Sequence, residues 1–252
     1  MLKIDSVSFH NLLRNVSFNA YPGEVLVIIG PNGAGKSTLL NSISTINSVT
    51  SGNILFDGQN LASLNNIERA KKLAVLSQKT SLAFDLMIEE VIELGLYPYR
   101  LSGVDRKGVI ENLLEKFELI KYKHRLYSTL SGGEQQRVQM ARVFAQLNLA
   151  RDNSPKLLLL DEHVSHLDPH FQHSSFITIK KLAVKNNLTV IAVVHDLMLA
   201  AEYADKILLL NGGNFISYGQ ANEVITNENM LKCFNMSLIG DLHNGFRLSP
   251  SW

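Results

Sequence analysis

The sequence predicts an α/β fold whose core is a mostly parallel β-sheet. Four short runs are apolar almost throughout, which is typical of parallel strands that are buried on both faces. These runs are VLVII at residues 25–29, LAVLS at 73–77, LLLLD at 157–161 and TVIAVVH at 189–195. Longer segments with helical spacing lie between them, so strands and helices alternate along the chain.

Other strand-like segments flank this predicted core. Near the N-terminus, the short pieces DSVSF, NVSFNA and NILFDG predict an antiparallel β subdomain at the edge of the sheet. Further along, KILLL at residues 206–210 and FISYG at 215–219 are separated by Asn-Gly-Gly-Asn. This turn sequence predicts a terminal strand pair.

The interval 87–149 differs from the rest of the chain. IEEVIELGL and VIENLLEKFELI have helical spacing, and no strand-like run follows them before Leu157. We interpret residues 87–149 as a helical subdomain inserted into a core formed by residues 1–86 and 150–252. The whole chain, 1–252, is thus expected to form a single domain with an inserted part.

Composition restricts the function classes. The chain has 252 residues, is 46% hydrophobic, and carries a net charge of +1, which excludes a strong electrostatic attraction to nucleic acid. One cysteine, Cys233, cannot form an intramolecular disulfide. We expect no secretory signal at the N-terminus, and no apolar run reaches the roughly 18–20 residues that span a bilayer. A role at a membrane would therefore require a partner.

The segment GPNGAGKST matches G-x-x-x-x-G-K-[ST] and follows a predicted buried strand. Glycines let the backbone wrap around phosphates, and successive N–H groups at a helix N-terminus bind anions. In this pattern the lysine reaches the β- and γ-phosphates and the serine hydroxyl ligates Mg²⁺. The predicted ATP-binding residues are Gly30, Pro31, Asn32, Gly33, Ala34, Gly35, Lys36, Ser37 and Thr38.

The apolar run LLLLD ends in two adjacent carboxylates, Asp161 and Glu162. In a P-loop protein the first supports Mg²⁺, and the second orients or deprotonates the attacking water. Four histidines follow within the next residues, so a zinc site is an alternative. It would use His163, His166, His170 and His173. We instead expect these histidines to occupy surface or loop positions.

The segment LSGGE precedes a predicted helix and forms a second anion-binding helix N-terminus. A single chain has no evident need for two phosphate sites, whereas a head-to-tail dimer does. We expect the residues of this segment to face the γ-phosphate that is held by a partner subunit. They are Ser131, Gly132, Gly133 and Glu134.

With these motifs in place, the chain resembles an ABC-transporter ATPase over nearly its whole length. GPNGAGKST resembles the Walker A motif, LLLLDE the Walker B strand with its catalytic glutamate, and LSGGE the ABC signature. The resemblance implies further roles for three residues. Gln78 would be the Q-loop residue that contacts Mg²⁺ and water, Asp168 would lie in the D-loop, and His195 would be the switch histidine that contacts the γ-phosphate.

Finer similarity points to importers of iron chelates. VIELGLYPYR is similar to a segment in ATPases of iron-siderophore, haem and vitamin B12 importers. RLYSTLSGGEQQRVQMARVFAQL and the tail GNFISYGQANEVITNENMLKCF resemble the ATPases of haem importers. The resemblance implies an ATPase that uses ATP and Mg²⁺, forms a homodimer, and works with an integral-membrane permease dimer and, indirectly, a periplasmic binding protein. It would sit peripherally on the cytoplasmic face of the inner membrane and drive haem uptake, with no nucleic-acid partner. Alternatives are a ferric-siderophore or vitamin B12 importer, an exporter, or a soluble ABC ATPase without a transport role.

The chain departs from the family pattern at several positions. His163 replaces the usual proline after the glutamate, and His166 replaces a common alanine in the D-loop. Leu96 stands where the similar importers have arginine. No clear tyrosine occupies the usual adenine-stacking position, for which Phe9 and His10 are candidates, so use of GTP stays open.

Overall fold

The computed structural model describes residues 1–45, 48–77, 82, 84–147, 154–164, 167–242 and 245–250. Its strands are β1 (Leu2–Phe9), β2 (Leu13–Ala20), β3 (Val25–Ile29), β4 (Ser51–Phe56), β5 (Leu73–Leu76), β6 (Lys156–Asp161), β7 (Leu188–Val193), β8 (Lys206–Asn211), β9 (Asn214–Gly219), β10 (Met236–Asp241) and β11 (Gly245–Pro250). Its helices are α1 (Lys36–Ile43), α2 (Asn66–Lys72), α3 (Ile88–Leu94), α4 (Gly103–Lys116), α5 (Gly132–Leu147), α6 (Pro169–Asn186), α7 (Leu197–Tyr203), α8 (Ala221–Val224) and α9 (Asn227–Phe234).

Within the described residues, nine strands form one sheet in the order β4-β1-β2-β9-β8-β3-β7-β6-β5. From β8 to β5 all neighbouring strands are parallel. The pairs β8–β9, β1–β2 and β1–β4 are antiparallel. A single parallel register pair, Arg14 opposite Asn214, joins the antiparallel strands to the core. The predicted α/β fold with its antiparallel N-terminal part is confirmed.

The central strands are largely apolar because both faces of the sheet are covered. Along β3, Val25, Val27 and Ile29 face one apolar cluster, while Leu26 and Ile28 face the other. The first cluster is covered by α3 to α7, and the second by α1 and the antiparallel strands. A strand with two buried faces has no polar side to alternate with, which explains the unbroken apolar runs in the sequence.

Helices occupy the described part of the chain between β5 and β6. Helix α5 packs against α3, α4 and β5. Its C-terminal part is tied to the core, since the Gln146 side chain donates hydrogen bonds to the carbonyls of Ala70 and Leu73. The predicted boundary at residues 149 and 150 lies outside the described residues, so the division of the chain into core and inserted part stays a prediction.

Some element ends differ from the sequence-based expectation. Strand β7 ends at Val193, two residues before the predicted end, because the next residues turn and Asp196 caps α7 by accepting the Met198 N–H. Helix α4 ends at Lys116, and Glu118 beyond it has a left-handed backbone (φ 56°). The β10–β11 hairpin was not predicted. Among the described residues, no helix combines the length and apolarity needed to cross a membrane.

Candidate nucleotide-hydrolysis site

The segment between β3 and α1 is a tight glycine loop. Gly30 has φ 151°, and a Cβ there would lie 2.2 Å from the Leu210 carbonyl oxygen. Gly35 has φ 95°, and its Cβ would lie 2.8 Å from the Leu12 carbonyl oxygen. Both positions therefore require glycine. Because Gly35 caps α1 without any side-chain hydrogen bond, the first N–H groups of the helix are left for an anion.

Lys36 places its ammonium group inside this loop. Its Nζ donates hydrogen bonds to the carbonyl oxygens of Gly30 at 2.9 Å and Pro31 at 3.0 Å, and the residue is only 6% exposed. Burial lowers the pKa of Lys36, while the nearby charges of Glu162 and Asp161 act in the opposite direction. A buried ammonium held only by neutral carbonyls is a strong site for a phosphate oxygen.

Ser37 and Asp161 meet next to the loop. The Ser37 hydroxyl donates to Oδ1 of Asp161 at 3.2 Å. Burial raises the pKa of Asp161, and the Ser37 hydrogen bond offsets part of that rise. The pair thus offers two hard oxygen donors, one of them a partly desolvated carboxylate, which is the donor chemistry that Mg²⁺ prefers.

Glu162 and His195 form the closest polar contact of the site. Parallel pairing of β6 with β7 aligns Asp161 with Val193, so the residues that follow both strands lie at the same sheet edge. Nε2 of His195 lies 2.5 Å from Oε1 of Glu162. Glu162 has φ 53°, a left-handed conformation that costs on the order of 1 kcal/mol or more, and its N–H donates to the Val193 carbonyl.

One of the four histidines after the paired carboxylates is buried. His163 is fully buried, with its ring edge against Phe176 at a centroid distance of 5.0 Å, and burial lowers its pKa to about 3. Within the described chain, neither ring nitrogen has a hydrogen-bond partner. His163 thus lies in the turn after β6, one of the expected loop positions, with its ring packed against Phe176 of α6. His170 is exposed, and His166 lies outside the described residues.

The zinc alternative gains no support from this geometry. Among the residues that the structure describes, no group of three or more histidine, cysteine, aspartate or glutamate side chains could hold a metal ion. His173, another candidate ligand, instead has its Nδ1 2.8 Å from the Tyr203 hydroxyl. His173 thus has a polar contact of its own, whereas the His163 ring packs against Phe176.

The LSGGE turn forms a hydrogen-bonded cap at the N-terminus of α5. The Glu134 carboxylate accepts hydrogen bonds from both the N–H and the hydroxyl of Ser131, each at 2.9 Å. A hydrogen bond from Tyr122 and those from Ser131 lower the pKa of Glu134 to about 2. Gly132 opens α5, and Gly133 follows it. The Ser131–Glu134 contacts thus hold the turn in place at the start of the helix.

The remaining predicted site residues have different positions. Asp168 is exposed and caps α6 by accepting the Phe171 N–H at 3.2 Å, with Pro169 at the first helical position. Gln78 and residues 165–166, which include part of the predicted D-loop, lie outside the described residues. Their predicted roles therefore stay predictions.

The two adenine-stacking candidates sit at the β1–β2 turn. The rings of Phe9 and His10 meet edge to face at a centroid distance of 4.7 Å, and the His10 N–H donates to the Thr50 hydroxyl. The same turn carries Leu12, whose carbonyl approaches Gly35 of the glycine loop. The turn therefore lies beside the phosphate loop, where a base attached to bound phosphates could reach it.

Sequence reasoning missed Gln136. Its Nε2 donates to the His163 carbonyl oxygen at 2.6 Å and so joins α5 to the residue after Glu162. No sequence pattern could have revealed this contact, because its acceptor is a backbone oxygen that only the packing of α5 on the core brings within reach.

A glycine loop at a helix N-terminus, a buried lysine and paired carboxylates at the next strand end define a P-loop nucleotide hydrolase. The chain belongs to the ABC transporter family, whose sequence model matches residues 13–165. It is thus a nucleotide-binding ATPase of that family.

The chain is similar to several hemin import ATP-binding proteins named HmuV. It is 40% identical to that of Shewanella denitrificans over 234 residues, which cover 91% of each chain. With that of Gloeobacter violaceus it shares 42% identity over 219 residues, covering 86% of this chain and 79% of the relative.

Solved structures share the fold. The chain matches an ATP-binding subunit of an ABC transporter with a TM-score of 0.78 and 25% identity, over 89% of this chain and 91% of that one. It also matches a dimeric ATP-binding cassette in a post-hydrolysis state with bound ADP and Pi. There the TM-score is 0.77 and the identity 29%, over 88% of this chain and 99% of the other.

Proposed function

We propose that this chain is the ATP-hydrolysing subunit of an importer and drives haem uptake through a membrane permease. The observation that carries the hydrolytic part is the contact between Glu162 and His195 beside the buried Lys36. The haem part is supported by the similarity to hemin import ATP-binding proteins over about nine-tenths of the chain. A ferric-siderophore or vitamin B12 importer is the alternative, and a non-transport ABC ATPase is a more distant one.

The P-loop residues and Lys36 would bind and orient the phosphates of ATP. Ser37 and Asp161 would hold Mg²⁺, with Gln78 as a further ligand. Mg²⁺, when bound, neutralises charge on the phosphate oxygens. Because phosphoryl transfer needs little covalent chemistry from the protein, positioning and charge stabilisation account for most of the rate.

Glu162 would accept a proton from the attacking water or orient it, and His195 would stabilise the γ-phosphate. In the structure, His195 also holds the Glu162 carboxylate in place, since the two side chains share a 2.5 Å contact. Because the Glu162 carboxylate is preorganised by this contact, its side chain needs less reorganisation when ATP binds. Glu162 is only 14% exposed, which limits competition from bulk water.

We infer a head-to-tail homodimer in which Ser131, Gly133 and Asp168 complete the partner's site. The support is the turn at the N-terminus of α5, capped by Ser131 and Glu134, and the similarity to a dimeric cassette. Permease docking, a periplasmic binding protein and a peripheral position on the cytoplasmic face of the inner membrane follow from the same proposal.

The hydrolytic proposal is tested with Glu162→Gln. We expect ATP turnover to fall roughly 100- to 10,000-fold because the carboxylate can no longer take a proton. ATP-dependent dimerisation, measured by light scattering, should persist. A matched control is Glu202→Gln, which alters another glutamate that contacts a histidine. Oε2 of Glu202 lies 3.6 Å from Nδ1 of His173, and Glu202 is far from the glycine loop in sequence. Unchanged turnover in Glu162→Gln would overturn the assignment.

The haem proposal is tested in a deletion strain of the source organism. We expect growth on haem as the only iron source to be lost, and to return with the wild-type gene but not with Glu162→Gln. Growth on a ferric siderophore and vitamin B12 uptake serve as parallel assays. Normal growth on haem with loss of either parallel activity would replace haem by that substrate.

A further inference from the structure

The main chain at Glu162 is held from several sides. Its left-handed backbone, φ 53°, is unfavourable for a residue with a side chain, so neighbouring contacts must maintain it. On the strand side, its N–H donates to the Val193 carbonyl at 3.2 Å. At the side-chain end, the carboxylate meets His195. The restraint on the following residue comes from a different part of the molecule.

The residue that provides this restraint is Gln136, which lies in α5 three positions after Gly133. Its side-chain amide donates a 2.6 Å hydrogen bond to the His163 carbonyl oxygen. The contact joins residues 27 positions apart and is partly buried, so water competes with it weakly. One side chain therefore connects the helix that begins at the signature turn with the carbonyl group of the residue that follows Glu162.

The His163 side chain cannot serve as a polar anchor in this arrangement. The ring is fully buried, and within the described residues neither of its nitrogens is hydrogen-bonded. Its main chain, in contrast, accepts the hydrogen bond from Gln136. The next part of the segment is held in a similar way, since Gln172 of α6 donates to the carbonyls of Val164 at 3.1 Å and Leu167 at 3.0 Å.

We propose that Gln136 is a positioning residue for Glu162, and this inference rests on the proposed hydrolytic function. By fixing the His163 carbonyl, Gln136 sets the direction in which the Glu162 carboxylate points. Because Gln136 lies in the first turns of α5, a ligand that moves the signature turn would also move this carbonyl. The contact thus couples the signature turn of one subunit to the base in its own ATP site.

The test measures steady-state ATP hydrolysis by purified full-length protein. Gln136→Met keeps the length of the side chain but removes the donor. We expect kcat to fall roughly 10- to 100-fold, as a small misplacement of a catalytic group does, with KM for ATP unchanged. Gln136→Lys keeps a donor of similar reach and should recover part of the lost kcat.

A control on the same helix separates positioning from general stability. Gln146→Met removes an equivalent contact, because Gln146 also donates to backbone carbonyls, those of Ala70 and Leu73, but at the other end of α5. We expect its kcat to remain at the wild-type value. Equal losses of kcat in Gln136→Met and Gln146→Met would overturn the inference in favour of a structural role.

A double variant tests whether Gln136 acts through Glu162. In the Glu162→Gln background, with radiolabelled ATP to follow slow turnover, Gln136→Met should cause no further loss. A full additional loss would contradict the inference while leaving the hydrolytic proposal intact. Conversely, if Glu162→Gln alone keeps normal turnover, the proposed function itself fails, so the two failures are distinguishable.

Discussion

Nε2 of His195 lies 2.5 Å from Oε1 of Glu162, although the two residues are 33 positions apart in the chain. The contact exists because β6 and β7 are parallel neighbours that end at the same edge of the sheet. The side chains that follow the two strands therefore converge beside the glycine loop at the end of β3, which is the other parallel neighbour of β7. Sheet topology thus assembles the candidate site.

Replacing His195 tests this contact. We expect His195→Ala to reduce ATP hydrolysis roughly 100-fold, because both the hold on Glu162 and the proposed γ-phosphate contact disappear. Phosphate release at saturating ATP measures the effect. His173→Ala is the control, as Nδ1 of His173 contacts the Tyr203 hydroxyl. Turnover that falls equally in both variants would argue against a specific role of His195.

Lys36→Met should abolish ATP binding while preserving the fold. The methionine side chain keeps most of the buried length of the lysine. The substitution removes the ammonium charge, which two carbonyl oxygens hold in the wild type. Wild-type protein should gain about 2.7 kcal/mol of unfolding free energy at ATP 100-fold above Kd, and Lys36→Met should gain none. Thermal unfolding with and without MgATP measures this gain.

Lys156→Met provides the comparison, since Lys156 is also buried and its Nζ donates to the Lys71 carbonyl. Its stabilisation by ATP should match that of the wild type. A normal ATP-induced gain in Lys36→Met would contradict the assigned phosphate contact.

Two glycines of the loop should respond differently to alanine. At Gly30 a Cβ would lie 2.2 Å from the Leu210 carbonyl, so we expect Gly30→Ala to lower the free energy of unfolding by roughly 2–5 kcal/mol. At Gly33 nothing lies within 4 Å of the added Cβ, and only its φ of 78° opposes the change. Gly33→Ala should cost about 1 kcal/mol. Urea unfolding measures both, and equal losses would count against the described packing.

The buried imidazole of His163 predicts a pH-dependent stability. Because burial lowers its pKa to about 3 in the folded protein, the folded state keeps it neutral between pH 6.5 and 3, whereas the unfolded chain binds a proton there. Stability should therefore fall as the pH drops, by about 2 kcal/mol from pH 7 to 5 for this group. Urea unfolding without nucleotide at both pH values measures the fall.

In His163→Leu this part of the loss should vanish. The protein should also be more stable at pH 7, because the change removes a buried ring that has no hydrogen-bond partner among the described residues. His170→Leu changes an exposed histidine near the start of α6 and should leave the difference between pH 7 and 5 as in the wild type. An unchanged pH dependence in His163→Leu would show that the ring is solvated or paired.

Much of the fold could be predicted because the burial and backbone conformation of an element determine the residue pattern within that element. Strands β3, β5, β6 and β8 coincide closely with the apolar runs, since burial on both faces favours apolar residues at consecutive positions. The glycine loop was predicted for a similar reason, as its backbone conformation and anion-binding helix end depend on neighbouring residues. The β10–β11 hairpin was missed because its strands are only partly buried and lack such a run.

The sequence by itself determined the chemical groups of the site: the glycine loop with Lys36, the carboxylates after β6, and the signature turn. Each is a contiguous stretch whose spacing carries its chemistry. Only the tertiary structure decided how separate stretches meet. It paired Glu162 with His195, buried His163 and brought Gln136 to a backbone carbonyl. Such contacts depend on strand order and helix packing, which bring together residues that are distant in the sequence. Since every residue also carries a backbone acceptor, no residue type in the sequence identifies the partner of Gln136.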